Sequence, residues 1–181
     1  NPIPIYYESI EEYTKLRMKR KDFSKPYFVL LAGGKGKGNE EAVKLTIKIF
    51  NELPPDSFRL FITGPWHEMI KHIENPSIKL LGVVTHEKLK ELLAMSDYGL
   101  SPVFTHAAGT FLKVLGYIAA GLDMIVSPYS LTGIDLNVIR KAGIRVHIVH
   151  NAEEYRRSIL NTIYAECCIK KLRKPVICGQ Q

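Results

Sequence analysis

Tyr27-Phe28-Val29-Leu30-Leu31-Ala32-Gly33-Gly34-Lys35-Gly36-Lys37-Gly38-Asn39 is the stretch on which the fold turns. Six apolar residues in a row, without polar alternation, are the pattern of a strand buried on both faces. The glycine cluster that follows cannot continue a strand. It leads into residues 39–51, where Ala42, Val43, Leu45, Ile47, Ile49 and Phe50 recur at the spacing of a helix packed on a sheet. Strand, glycine loop and helix in that order make the first half of a βαβ unit.

Working outward, the same alternation continues. Strands are predicted at 58–63, 78–81, 98–103, 124–126 and 145–149. Helices are predicted at 65–73, 86–95, 109–120, 135–141 and 152 to about 166, with Gly121 as the C-cap of the third of these. Upstream, residues 1–5 carry two prolines and read as extended, and 8–21 is helix-prone. Short strands alternating with helices predict an α/β fold, a single doubly wound parallel sheet of Rossmann-like type. In such sheets ligands sit at the carboxyl ends of the strands, where the strand order switches, so the loops after each strand hold the candidate site.

The chain has 181 residues, 46% hydrophobic and 24% charged, which suits one domain with a sizeable core. No apolar run is long enough to cross a bilayer, and no leader with a cleavage site opens the sequence. The first residue is Asn1, as expected of a piece of a longer protein. Three cysteines, Cys167, Cys168 and Cys178, form neither a disulfide framework nor a zinc motif, which points to a reducing, intracellular setting. The net charge of +7 favours polyanionic partners. Two basic clusters, Lys15-Arg17-Lys19-Arg20-Lys21 and Lys170-Lys171-Arg173-Lys174, read as solvated faces, since no aromatic residues interleave them.

Two loops carry anion-binding chemistry. In 33–39, glycines let backbone amides approach an anion, the helix start adds partial positive charge, and Lys35 and Lys37 supply cations. The spacing is neither a Walker A loop nor a dinucleotide fingerprint. In Thr105-His106-Ala107-Ala108-Gly109-Thr110 small residues again precede a helix. His106 is a potential donor, and Lys113 lies one turn in, toward the same end. Weaker candidates are Gly64-Pro65-Trp66-His67 and Gly82-Val83-Val84-Thr85-His86; for Trp66 itself packing is the expected role. Ser127 and Ser130 lack a nucleophile-elbow pattern, which leaves hydrolase chemistry unsupported.

Taken together, these residues resemble the C-terminal, donor-binding domain of GT-B glycosyltransferases, in particular the large retaining group 1 family (family 4) that includes sucrose, glycogen and lipopolysaccharide synthases. The resemblance spans about residues 27–165. Leu31-Ala32-Gly33-Gly34 with Lys37-Gly38 resembles the opening strand and its Lys-Gly phosphate loop. Phe61-Ile62-Thr63-Gly64 is similar to the next strand. Ile78-Lys79-Leu80-Leu81-Gly82-Val83-Val84 is similar to the strand whose following backbone contacts the base. Residues 112–127 resemble a Glu-Ala-Met-Ala-Cys-Gly-Leu-Pro-Val-Ile pattern, and Asn1-Pro2-Ile3-Pro4 the crossing from the acceptor domain. The sequence departs from the family in holding Ala108 and Gly116 where two glutamates are usual, and Asp123 where a proline is usual. Lys35 stands nearest to the family's arginine.

The resemblance implies a hexosyltransferase that moves a sugar from a nucleotide-diphosphate donor to an acceptor. Donor contacts would come from Gly34, Lys35, Lys37, Gly38, Val84, His106, Ala108, Gly109, Thr110 and Lys113. It implies no cofactor besides the donor and no metal, since there is no Asp-x-Asp and lysines carry the charge. Residues 1–26 would form an interdomain linker and lead-in helix, 27–166 the nucleotide-sugar domain and 167–181 a tail. The acceptor would bind an N-terminal domain that this chain does not contain. A cytoplasmic location follows, with the basic clusters available for peripheral membrane contact. The alternatives are a nucleotide- or sugar-phosphate-binding module without turnover, favoured by the missing glutamates, and a nucleic-acid or membrane-surface protein using the basic clusters.

Overall fold

The computed structural model describes residues 7–105 and 112–172, with side chains as far as residue 165. Strands β1 (Tyr27–Leu31), β2 (Arg59–Thr63), β3 (Ile78–Gly82), β4 (Tyr98–Ser101), β5 (Asp123–Val126) and β6 (Val146–Ile148) form one parallel sheet in the order β3-β2-β1-β4-β5-β6. This is the doubly wound order, and the switch falls between β1 and β4. Helices α1 (Ile10–Arg17), α2 (Lys37–Asn51), α3 (His86–Met95), α4 (Leu112–Ala119), α5 (Leu136–Lys141) and α6 (Ala152–Leu172) complete the chain.

The unbroken apolar run does what its pattern predicts. Successive β1 side chains point to opposite faces: Phe28 and Leu30 enter a core with α2 and α6, and Val29 enters a second core with α3, α4 and α5. Each such buried side chain stabilises the fold by about 1.5–3 kcal/mol. Thr85 caps α3 by accepting from the Lys88 amide at 3.2 Å, and Asp135 caps α5 by accepting from Asn137 at 2.8 Å. Gly121, at φ +67°, ends α4 as expected.

Two expectations fail. Residues 65–73 are a turn segment rather than a helix. Trp66 folds back so that its Nε1 donates to the Ala32 carbonyl at 2.7 Å, and Met69, Ile70 and Ile73 pack on the core from a non-helical segment. The packing role read for Trp66 therefore holds. The first basic cluster is not simply a solvated face either. Arg20 is only 6% exposed and donates to the Met95 and Lys25 carbonyls and to Asp97 Oδ1 at 2.8 Å. Arg17 reaches the same Asp97 oxygen at 3.1 Å and the Ala94 and Ser96 carbonyls, while Lys19 pairs with Glu91 at 2.6 Å. These bonds dock α1 against the amino ends of the strands. The second cluster lies outside the described side chains.

Candidate functional site

At the carboxyl edge β1 and β4 stay paired only through Phe28↔Tyr98 and Val29↔Gly99, whereas β1 and β2 pair over five positions. Beyond that point the two strands part. Tyr117 fills the gap from α4: its hydroxyl accepts from the Leu31 amide at 3.0 Å and donates to the Leu100 carbonyl at 2.9 Å. Burial holds this phenol well above its ordinary pKa. The ring lies against β4, where a Cβ on Gly99 would stand 2.4 Å from it. Any side chain at 99 would evict the wedge.

The glycine loop emerges beside this wedge. Gly33, Gly34, Lys35 and Gly36 are exposed, and α2 begins at Lys37, two residues earlier than its apolar pattern suggests. Gly36 is the N-cap and has no side chain to offer. Its carbonyl accepts from Asn39 N at 3.0 Å and Glu40 N at 3.1 Å. Helix geometry then leaves the Lys37 and Gly38 amides without an intrahelical acceptor, at the positive end of the α2 dipole. Gly38 is pressed against the segment after β4: a Cβ there would lie 2.9 Å from Val103 Cγ1 and 3.8 Å from Thr105 Oγ1.

Asn39 ties the glycine loop to α4. Its Nδ2 donates to the Gly34 carbonyl at 2.9 Å, and its Oδ1 accepts from Lys113 Nζ at 2.5 Å. Lys113, half-buried on α4, thus brings its amine to the first turn of α2. Burial pushes that ammonium down to about 8, because desolvation disfavours the charged form. The arrangement is an amide-lined helix start with an inward-held cation beside it, which is suited to an anion.

The other expected residues divide. Lys35 is exposed on the loop; Lys37 is equally open and lies 3.8 Å from Glu41 within α2. Val84 follows β3, two strands from β1 and so about 10 Å away across the sheet. His106, Ala108, Gly109 and Thr110 lie outside the described residues. Gly116 is buried within α4, which has no acidic residue along Leu112–Ala119. Ser101, Ser127 and Ser130 are buried and bond one another, Ser101 Oγ to Ser130 Oγ at 2.8 Å and Ser127 Oγ to Ser130 Oγ at 3.1 Å. They tie the ends of β4 and β5 together. Among the described residues no three His, Cys, Asp or Glu side chains converge as metal ligands, and no helix is long and apolar enough to cross a membrane.

Asn39 and Tyr117 escaped the sequence reading. Asn39 had a faint signal, since asparagine is a poor helix former whose side chain seeks backbone partners. Tyr117 had none, because its partners are backbone groups 86 and 17 residues away.

No protein-family model matches the chain, and a comparison with curated protein sequences finds no match. Solved structures do match. WaaG, a glycosyltransferase of lipopolysaccharide biosynthesis, superposes with a TM-score of 0.64 at 18% identity, over 91% of this chain and 45% of WaaG. Anabaena HepE, in complex with UDP and glucose, gives 0.57 at 16% identity, over 93% and 45%. The C-terminal domain of the group 1 glycosyltransferase LpcC from Francisella tularensis gives 0.51 at 14% identity, over 93% of this chain and 95% of that domain. The chain spans 45% of the length of the first two. Its six-stranded sheet and flanking helices thus have the fold of the C-terminal half of GT-B glycosyltransferases.

Proposed function

We propose that this chain is the donor-binding domain of a glycosyltransferase and holds the diphosphate of a nucleotide sugar at the carboxyl edge between β1 and β4. The observation that carries the reading is the inward Lys113 ammonium set against the start of α2, at the switch point of a GT-B-type sheet. Negative charge that builds on a departing diphosphate would be stabilised there by Lys113 and the Lys37 and Gly38 amides, with Lys35 and Lys37 in the outer shell. The acceptor site would belong to an N-terminal domain; the shared length with WaaG and HepE supports that division. A hexose as the transferred sugar follows from the resemblance alone. So do contacts from Val84, His106, Ala108, Gly109 and Thr110, a donor bound without metal, and a cytoplasmic setting.

Calorimetric titration of the chain with UDP, GDP and ADP, beside a Lys113→Ala variant, tests the reading. UDP comes first because the HepE structure holds it. Binding of one nucleotide that weakens by about tenfold or more in the variant is the expected result, as for a charge-assisted hydrogen bond. No binding of any of the three overturns it. A second reading, a binding module without turnover, is favoured by Gly116, which leaves α4 without the carboxylate that the resemblance places there. It predicts the same binding and no transfer by the full-length protein.

A further inference from the structure

On the reading of this edge as a diphosphate site, we infer that Asn39 is its positioning residue: its carbonyl holds the Lys113 ammonium against the first turn of α2 while its amide fixes the Gly34 carbonyl, so that loop, cation and helix amides meet an anion as one receptor. Both ends of the side chain are used, at 2.5 and 2.9 Å, and they join segments 74 and 5 residues away. The backbone is fixed independently by the Asn39 N–H to the Gly36 carbonyl.

The chemistry favours an amide over a carboxylate. A neutral carbonyl orients an ammonium without itself adding negative charge to the site. Aspartate would make an ion pair and set a negative charge at the mouth of an anion site. Among the described residues the other charged groups nearby are already engaged or belong to the loop. Glu40 pairs with Lys44 at 2.6 Å and Glu41 faces Lys37, while Lys35 and Lys37 are cations. Residues 102–105 carry no charge, and α4 carries none besides Lys113.

The test uses the whole chain with inorganic pyrophosphate as ligand, comparing wild type, Asn39→Ala and Asn39→Asp by calorimetry. In parallel, Lys113 is titrated by NMR of ¹³Cε-labelled lysine, assigned with Lys113→Ala. Asn39→Ala should weaken pyrophosphate by about tenfold, the scale of one charge-assisted hydrogen bond, and lower the Lys113 midpoint, since an acceptor for the charged form is lost. Asn39→Asp should raise that midpoint and yet bind pyrophosphate no better than Asn39→Ala. A purely structural asparagine would not move midpoint and affinity in opposite directions. Wild-type affinity in both variants, or an unmoved midpoint in both, overturns the role of Asn39 and leaves the diphosphate reading standing. A wild-type chain that ignores both pyrophosphate and the nucleotides removes the diphosphate reading itself, and the receptor with it.

Discussion

The two edges of the sheet treat charge in opposite ways. At the amino edge Asp97 accepts from Arg17, Arg20 and the Tyr27 amide, and Asp123 holds Arg145. Arg20 also lies over the rings of Phe23 and Tyr27, at 4.7 and 4.1 Å. Every charge named there has an opposite charge within reach. At the carboxyl edge the inward cation is held by a neutral amide, and the loop lysines point outward. The first edge uses carboxylates to dock a helix; the second uses the neutral Asn39 amide to join Lys113 to the glycine loop. Residue types alone do not separate the two, because both are rich in Arg or Lys. What separates them is the job of the partner: Asp97 docks a helix, whereas the Asn39 amide links Lys113 to the glycine loop.

The largest effect expected from breaking this contrast is Asp97→Ala. It leaves the buried Arg20 guanidinium uncompensated, and removing one partner of a buried pair destabilises by about 3 kcal/mol or more, read as a lower urea midpoint. Diphosphate affinity in the folded fraction should not change. A matching fall in affinity would mean that the two edges are coupled.

A pH titration sharpens the contrast next. Burial pushes the Lys113 ammonium down to about 8 in the folded chain, against about 10.4 for an unfolded lysine. Between those values the unfolded chain binds more protons, so this group's contribution to stability increases as pH rises from about 8 to about 10.4. Over pH 7 to 9 anion affinity should fall as the ammonium is lost. Opposite slopes for binding and stability, both abolished in Lys113→Ala, are the expected signature. Parallel slopes would assign the titration to another group.

The smallest effect belongs to Lys37→Ala. Its side chain is 83% exposed and its ammonium lies 3.8 Å from Glu41, so solvent screens it, and calorimetry should find roughly 0.5 kcal/mol or less. A loss as large as that of Lys113→Ala would place the anion on the outside of the loop.

This ordering of the lysines was only half legible in the sequence. The buried strand, the glycine loop and the direction of Lys113 along its helix follow from periodicity and position. The start of α2 at Lys37 does not, because its first turn, Lys37-Gly38-Asn39-Glu40, carries no apolar residue to extend the pattern. The segment at 65–73 misleads for the converse reason: Met69, Ile70 and Ile73 have helix-like spacing, but Trp66 is spent on a hydrogen bond to β1's end. Arg20 looked like surface because only the fold brings Asp97 to it, 77 residues later. Local pattern reports elements; the charge balance of an edge depends on partners that the chain delivers from elsewhere.

Trp66 also has a practical use. It is the sole tryptophan, 3% exposed, with its indole N–H on the carbonyl of Ala32, the residue immediately before the glycine loop. Its ultraviolet emission therefore comes from a single place in the chain, the root of the proposed donor site, and any change there would be read in unlabelled protein.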